Sequence, residues 1–85
     1  MINTSTQLGV YIKHTRTRMG VTQEKLAMVA GTGLRFIIDL EKGKPTCEIG
    51  KVLMVLTSLG IKIDLTPPMT DVTEPMSSAQ QRGNR

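Results

Sequence analysis

The stretch "VTQEKLAMVAGTGLRFIIDLEKGK", residues 21–44, decides how this chain folds. Thr22 suits the position before a helix, with Gln23 and Glu24 in the first turn, because a threonine hydroxyl accepts from an otherwise orphaned backbone N–H. Leu26, Ala27 and Ala30 then share one face of a short helix, and Gly31 stops it. Thr32 or Gly33 caps a further helix running to Leu40 or Glu41, and "KGKP", Lys42 to Pro45, ends it. The spacing of Gln23, Leu26, Ala27, Gly31, Ile37 and Leu40 is that of a helix-turn-helix, two short helices crossing steeply through a tight turn. The small Ala27 lets the helices approach. Gly31 can take a positive φ without a Cβ clash. Leu26, Ile37 and Leu40 bury the crossing.

A wheel of the second of these helices separates two faces. Ile37 centres the inner one, with Gly33, Leu40 and Glu41 near it and Leu34 at its shoulder. Arg35 and Asp39 point the other way, stacked at i and i+4. Phe36 and Ile38 flank them. An exposed helix of this kind fits the major groove of B-DNA. Its N-terminal residues would reach base edges while the preceding helix crosses the backbone. On spacing alone, an ordinary Arg35–Asp39 pair on a solvated helix is the preferred reading.

Outward from this unit, residues 6–19 carry Leu8, Tyr11, Ile12, Thr15 and Met19 on one stripe, an amphipathic first helix ended by Gly20. Thr46 is expected to cap a fourth helix, with Cys47 in its first turn. Ile49, Val52, Leu53, Leu56 and Leu59 repeat along it, and Gly60 closes it. The period then changes. "IKIDL", residues 61–65, alternates apolar and polar, which is a strand pattern. A single strand cannot satisfy its own ladder. Ile61, Ile63 and Leu65 are therefore expected in a strand that pairs with its copy across a two-fold axis. The alternative is an extended lead-in to the tail. Residues 67–85 open with Pro67-Pro68, lack apolar periodicity and are rich in Ser, Thr, Gln, Pro and Gly, so disorder is expected there.

Composition agrees with packed helices. The chain has 85 residues, of which 39% are apolar, with one Phe, one Tyr and no Trp. Its core must be built from Leu, Ile, Val, Met and Ala, which suits helices better than a β-sandwich. Cys47 is the lone cysteine, so no internal disulfide forms. No apolar run approaches the roughly 20 residues of a membrane span. Residues 1–20 lack a basic segment followed by an apolar one, so no signal peptide is expected. The net charge is +4. Lys13, Arg16 and Arg18 lie in residues 1–20 without an acid, and residues 21–45 add one further positive charge. A basic patch on a small domain suits phosphate; a solvated helix face is the bland alternative.

Catalysis finds little support. One histidine (His14), one cysteine and seven scattered acids show no CxxC or HExxH spacing and no nucleophile–base pair. The chain is read as a non-enzyme without metal or cofactor. His14 is a surface residue, and Met28 and Met54 are packing or interface residues.

Residues 21–44 resemble the helix-turn-helix of the Cro/CI (XRE) family of bacterial and phage repressors. "PTCEIGKVLMVLTSLGIKIDL", residues 45–65, extends the likeness to HipB-type antitoxins over about residues 6–66. The resemblance implies an all-α, lambda-repressor-like bundle of about four or five helices, with the short C-terminal strand pairing across a homodimer. Residues 1–5 would then be an N-terminal extension, 6–66 the DNA-binding and dimerisation domain, and 67–85 the tail. It implies base reading by Leu34, Arg35, Ile38 and Asp39, with Arg35 on guanine. It implies phosphate contacts by Gln23, Thr32, Lys42, Lys44 and Thr46, Gln23 also bracing the recognition helix. It pairs Arg16 with Glu41 as a structural ion pair rather than leaving Arg16 for phosphate. Leu34 departs from the polar readers common in the family, which shifts weight to shape readout or to partner contacts near Phe36. The implied function is a sequence-specific repressor of an inverted-repeat operator. It is also the antitoxin of a HipA-like serine/threonine kinase toxin, autorepressing its operon in the bacterial cytoplasm at the nucleoid. The alternative is a phage or stand-alone XRE-type regulator without a toxin.

Overall fold

The computed structural model describes residues 1–68; the tail expectation for residues 69–85 lies outside them. Four helices follow in order among the described residues: α1 Ser5–Arg18, α2 Gln23–Ala30, α3 Leu34–Glu41 and α4 Ile49–Ser58. α2 packs against both α3 and α4, and α1 packs against α3.

α1 starts earlier than its apolar stripe suggests. Thr4 caps it, accepting from Gln7 N at 3.0 Å, while Gln7 Oε1 accepts from Thr4 N at 3.2 Å. This reciprocal capping box satisfies two orphan donors at once. The buried face of α1 is Gly9, Ile12 and Arg16, with Leu8 half-buried against the core. Tyr11 and Met19 are exposed, which corrects the stripe. The inner face contains a glycine and an arginine, and apolar periodicity counts neither.

Thr22 caps α2 by accepting from Lys25 N at 3.0 Å. At the other end Gly31 takes φ 75°, and Thr32 N donates back to Ala27 O at 2.9 Å. That left-handed residue turns the chain so that α3 can cross α2. Thr22→Ala should lower stability by about 1 kcal/mol, since it removes the cap bond. A thermal melt should then fall by about 4–8 °C for a domain of this size. An unchanged melting temperature would show that the cap contributes nothing.

α4 begins at Ile49 with Glu48 at its N-cap and no side-chain cap bond. Thr46 is therefore not the cap, and Cys47 precedes the helix. Residues 45–46 form a turn and Cys47 packs against the core, so the chain joins the helical path only after Glu48. Val55 is fully buried, with Val52, Leu56 and Leu59 beside it, whereas Ile49 and Leu53 are exposed.

The core joins Ile12 of α1, Leu26, Ala27 and Ala30 of α2, Ile37 and Leu40 of α3, and the buried positions of α4. Residues 61–68 have no regular secondary structure. Ile61 packs partly on the core, while Ile63 and Leu65 are exposed. Within the single chain these three residues are not in a strand, because no described segment lies alongside to complete a ladder.

Candidate nucleic-acid interface

α3 is positioned by its inner face. Ile37 and Leu40 lie in the core, and Glu41 ends the helix in a buried polar cluster. Arg16 Nε donates to Glu41 Oε2 at 2.6 Å, and Arg16 Nη2 donates to Glu41 Oε1 at 3.0 Å. This two-pronged geometry matches a guanidinium to a carboxylate. Arg16 Nη1 also donates to Val21 O at 2.8 Å, and Gln23 Nε2 donates to Glu41 Oε1 at 3.0 Å. The Arg16–Glu41 pair thus ties the end of α3 to α1, to the α1–α2 turn and to the start of α2.

The outer face of α3 is left open. Leu34 and Arg35 are exposed, and Ile38 and Asp39 are half-buried. Gly33 precedes the helix without a side-chain cap. Arg35 Nε lies 3.4 Å from Asp39 Oδ1, and Lys44 Nζ lies 3.6 Å from Asp39 Oδ2. The loop that brings Lys44 there is held both to α3 and to α1. Lys44 N donates to Asp39 O at 3.0 Å, and Ser5 Oγ of α1 donates to Gly43 O at 2.8 Å.

The residues expected at phosphates fall into two groups. Lys42, Lys44 and Thr46 are exposed together in the loop after α3. Gln23 and Thr32 are half-buried near the ends of α2. Gln23 already spends one of its two amide N–H groups on Glu41, and Thr32 Oγ1 donates to Gly33 O at 3.2 Å. Two further features escaped the sequence reading. Lys51 of α4 sits 5.8 Å over the Phe36 ring, a cation–π distance that brings a cation to the flank of α3. Asp39 reaches Lys44 as well as Arg35. Residue types signalled neither contact, because each depends on how a loop or another helix returns to α3.

Among the described residues no group of three or more His, Cys, Asp or Glu is placed to hold a metal ion, and no helix is long and apolar enough to cross a membrane. The arrangement offers a projecting helix face with one arginine, two half-buried apolar or acidic neighbours, and a lysine-bearing loop beside it. A projecting helix face with cations beside it can meet a polyanion, and the major groove of DNA accepts a helix of this kind.

No family model matches the chain. It is 51% identical over 67 residues to the uncharacterized HTH-type transcriptional regulator y4mF of Sinorhizobium fredii, covering 79% of this chain and 88% of that protein. Among solved structures, a chain of the HipA-HipB-O2-O3 complex superposes with a TM-score of 0.73 at 27% identity, covering 79% of this chain and 94% of that one. The restriction-modification controller protein C.AhdI from Aeromonas hydrophila superposes with a TM-score of 0.62 at 26% identity, covering 68% of this chain and 84% of that one.

Proposed function

The chain belongs to the HTH-type transcriptional regulators, and from that premise we propose that it is a sequence-specific repressor and the antitoxin of a HipA-like kinase toxin. It binds an inverted-repeat operator as a homodimer and represses its own operon in the bacterial cytoplasm. The observation that carries the DNA-binding part is the open face of α3, anchored from behind by the Arg16–Glu41 pair and flanked by Lys42 and Lys44. In this reading α3 lies in the major groove and residues 6–66 form the DNA-binding and dimerisation domain. Leu34, Arg35 and Ile38 face the bases, and Asp39 lies on the same face of the helix. Gln23, Thr32, Lys42, Lys44 and Thr46 hold phosphates, which fixes register rather than sequence.

Dimerisation is supported by apolar surface that the single chain does not cover. Ile49, Leu53, Met54, Ile63 and Leu65 are exposed, and a groove runs between Leu53, Leu56 and Ile61 to Ile63. Residues 61–65 pair with their copy across the two-fold, burying Ile63 and Leu65. The antitoxin role is supported by the likeness to HipB, which is solved together with HipA. The likeness to C.AhdI favours a second reading, a stand-alone regulator with no toxin. Co-purification with the product of the neighbouring gene separates the two: a stable complex supports the antitoxin, and its absence leaves the stand-alone regulator.

The binding reading is tested by titrating the duplex upstream of its own reading frame against a random duplex at about 0.15 M salt. Specific binding should be tighter by about a thousandfold or more, and affinity should fall steeply with added salt as counterions are released. Equal affinity for the two duplexes would overturn it. Arg35→Ala should cost about 1–3 kcal/mol on the upstream duplex and much less on the random one.

A further inference from the structure

Asp39 stands between the two cations that the proposed interface uses in different ways. Its carboxylate lies 3.4 Å from Arg35 Nε and 3.6 Å from Lys44 Nζ. It is also set back. The Asp39 side chain is 22% exposed, against 76% for Arg35 and 53% for Lys44. The Asp39 carbonyl accepts from Lys42 N at 3.2 Å and Lys44 N at 3.0 Å, so the backbone folds the loop back over the same residue. A carboxylate at that depth, with a cation beside each oxygen, reaches a base edge less readily than Arg35 does. It would also meet the phosphates as a like charge. Its expected role as a base reader fits this placement poorly.

We propose that Asp39 is a specificity-determining residue that acts as an internal counter-ion. It orients Arg35 toward a base edge and lowers the attraction of Arg35 and Lys44 for arbitrary DNA. The inference rests on the DNA-binding reading above. Two physical points carry it. First, the nearest approach of the carboxylate to Arg35 is at Nε, 3.4 Å away, and not at either of the two Nη groups. Those are the donors that make a bidentate contact with guanine O6 and N7. Second, non-specific affinity comes from neutralising phosphates, whereas specificity is the ratio of two affinities. With Asp39 the trio carries one net positive charge; without it, two. The Arg35 end of the pair is 76% exposed, and pairs with a solvated partner contribute little to folding, so the effect of Asp39 is on orientation and charge more than on the stability of the domain.

Binding of the full chain, wild type, Asp39→Asn and Asp39→Asn/Lys44→Gln, is measured by fluorescence anisotropy on two duplexes across a salt series. One is a random duplex and the other is the duplex upstream of its own reading frame. Asp39→Asn should tighten binding to the random duplex by about fivefold at low salt, with a log–log salt slope steeper by up to about one. Its preference for the upstream duplex should fall by about tenfold, as Arg35 loses its orientation. In the double variant the gain on the random duplex should vanish and the loss of preference should remain. Unchanged random-duplex affinity and slope in Asp39→Asn, or an unchanged preference, would overturn the inference. The DNA-binding reading fails in a different way, by the wild type showing no preference between the duplexes. The slope on the random duplex still reports on the counter-ion in that event.

Discussion

Glu41→Ala should destabilise the domain by about 3–5 kcal/mol, the cost of leaving one member of a buried ion pair alone. Arg16 would lose both bonds to the carboxylate, at 2.6 and 3.0 Å, and keep only Val21 O at 2.8 Å. Gln23 would lose the acceptor for its amide at 3.0 Å. Both donors lie where little water can replace the missing oxygens: Arg16 is buried and Gln23 half-buried. A stranded guanidinium costs more than the pair contributed, because desolvation is no longer offset. The double variant Arg16→Met/Glu41→Leu should therefore be more stable than Glu41→Ala, since apolar groups of similar volume need no partner. Urea midpoints of the three proteins measure this. If Glu41→Ala unfolds at the wild-type midpoint, the pair does not hold α3.

The same comparison separates stability from function. In the double variant the fold is retained but the link from Gln23 to the end of α3 is gone. If Gln23 both holds a phosphate and braces α3, DNA affinity falls in a protein whose midpoint has largely recovered.

The helix-turn-helix was legible because its signals are local. Thr22, Ala27, Gly31 and Leu40 each act within a few residues: a cap, a small crossing position, a left-handed turn, a core anchor. The structure uses them as such, with Thr22 capping Lys25 N and Gly31 at φ 75°. α1 was less legible. Its apolar stripe nominated Tyr11 and Met19, both exposed. The residues it passed over, Gly9 and Arg16, are buried by partners more than twenty positions away in the sequence. Hydropathy is blind to that kind of burial. The start of α4 is not legible in the same way, because Thr46 is a good cap by type. The turn at residues 45–46 and the burial of Cys47 decide otherwise.

The candidate site divides in the same way. The wheel of α3 was enough to put Arg35 outside and Ile37 inside, since helical geometry alone sets those directions. It could not place Lys44 against Asp39, because that contact depends on the path of the loop after the helix. Ile49 and Leu53 show a different limit. Their period marks them as apolar surface to be buried, yet the single chain leaves them exposed. Burial in the proposed homodimer would account for that period.

Gly9→Ala should destabilise the domain by about 3 kcal/mol, the upper end for overpacking a close contact. In an unconstrained helix the sign would be opposite, since alanine favours the helix over glycine by about 1 kcal/mol. Here a Cβ on residue 9 would lie 2.5 Å from Leu40 O and 2.8 Å from Glu41 O. Those atoms are backbone at the C-terminal end of α3 and cannot rotate away. α1 would have to lift from α3. Lifting it would stretch the Arg16–Glu41 bonds and the Ser5–Gly43 bond at 2.8 Å, so the strain spreads to the loop carrying Lys44. Gly50→Ala is the matched control. Gly50 also lies in a helix, but a Cβ there would meet only Glu48 Oε2, at 3.1 Å, the end of a flexible exposed side chain. Gly50→Ala should be neutral or stabilising by up to about 1 kcal/mol. The denaturant midpoint of Gly9→Ala should therefore fall below that of the wild type, while that of Gly50→Ala stays in place or rises. A Gly9→Ala protein at least as stable as wild type would mean that α1 is not seated on the end of α3 as the structure has it. DNA binding should follow the same order, because the clash at Gly9 displaces the helix that presents Arg35 while Gly50→Ala leaves it in place.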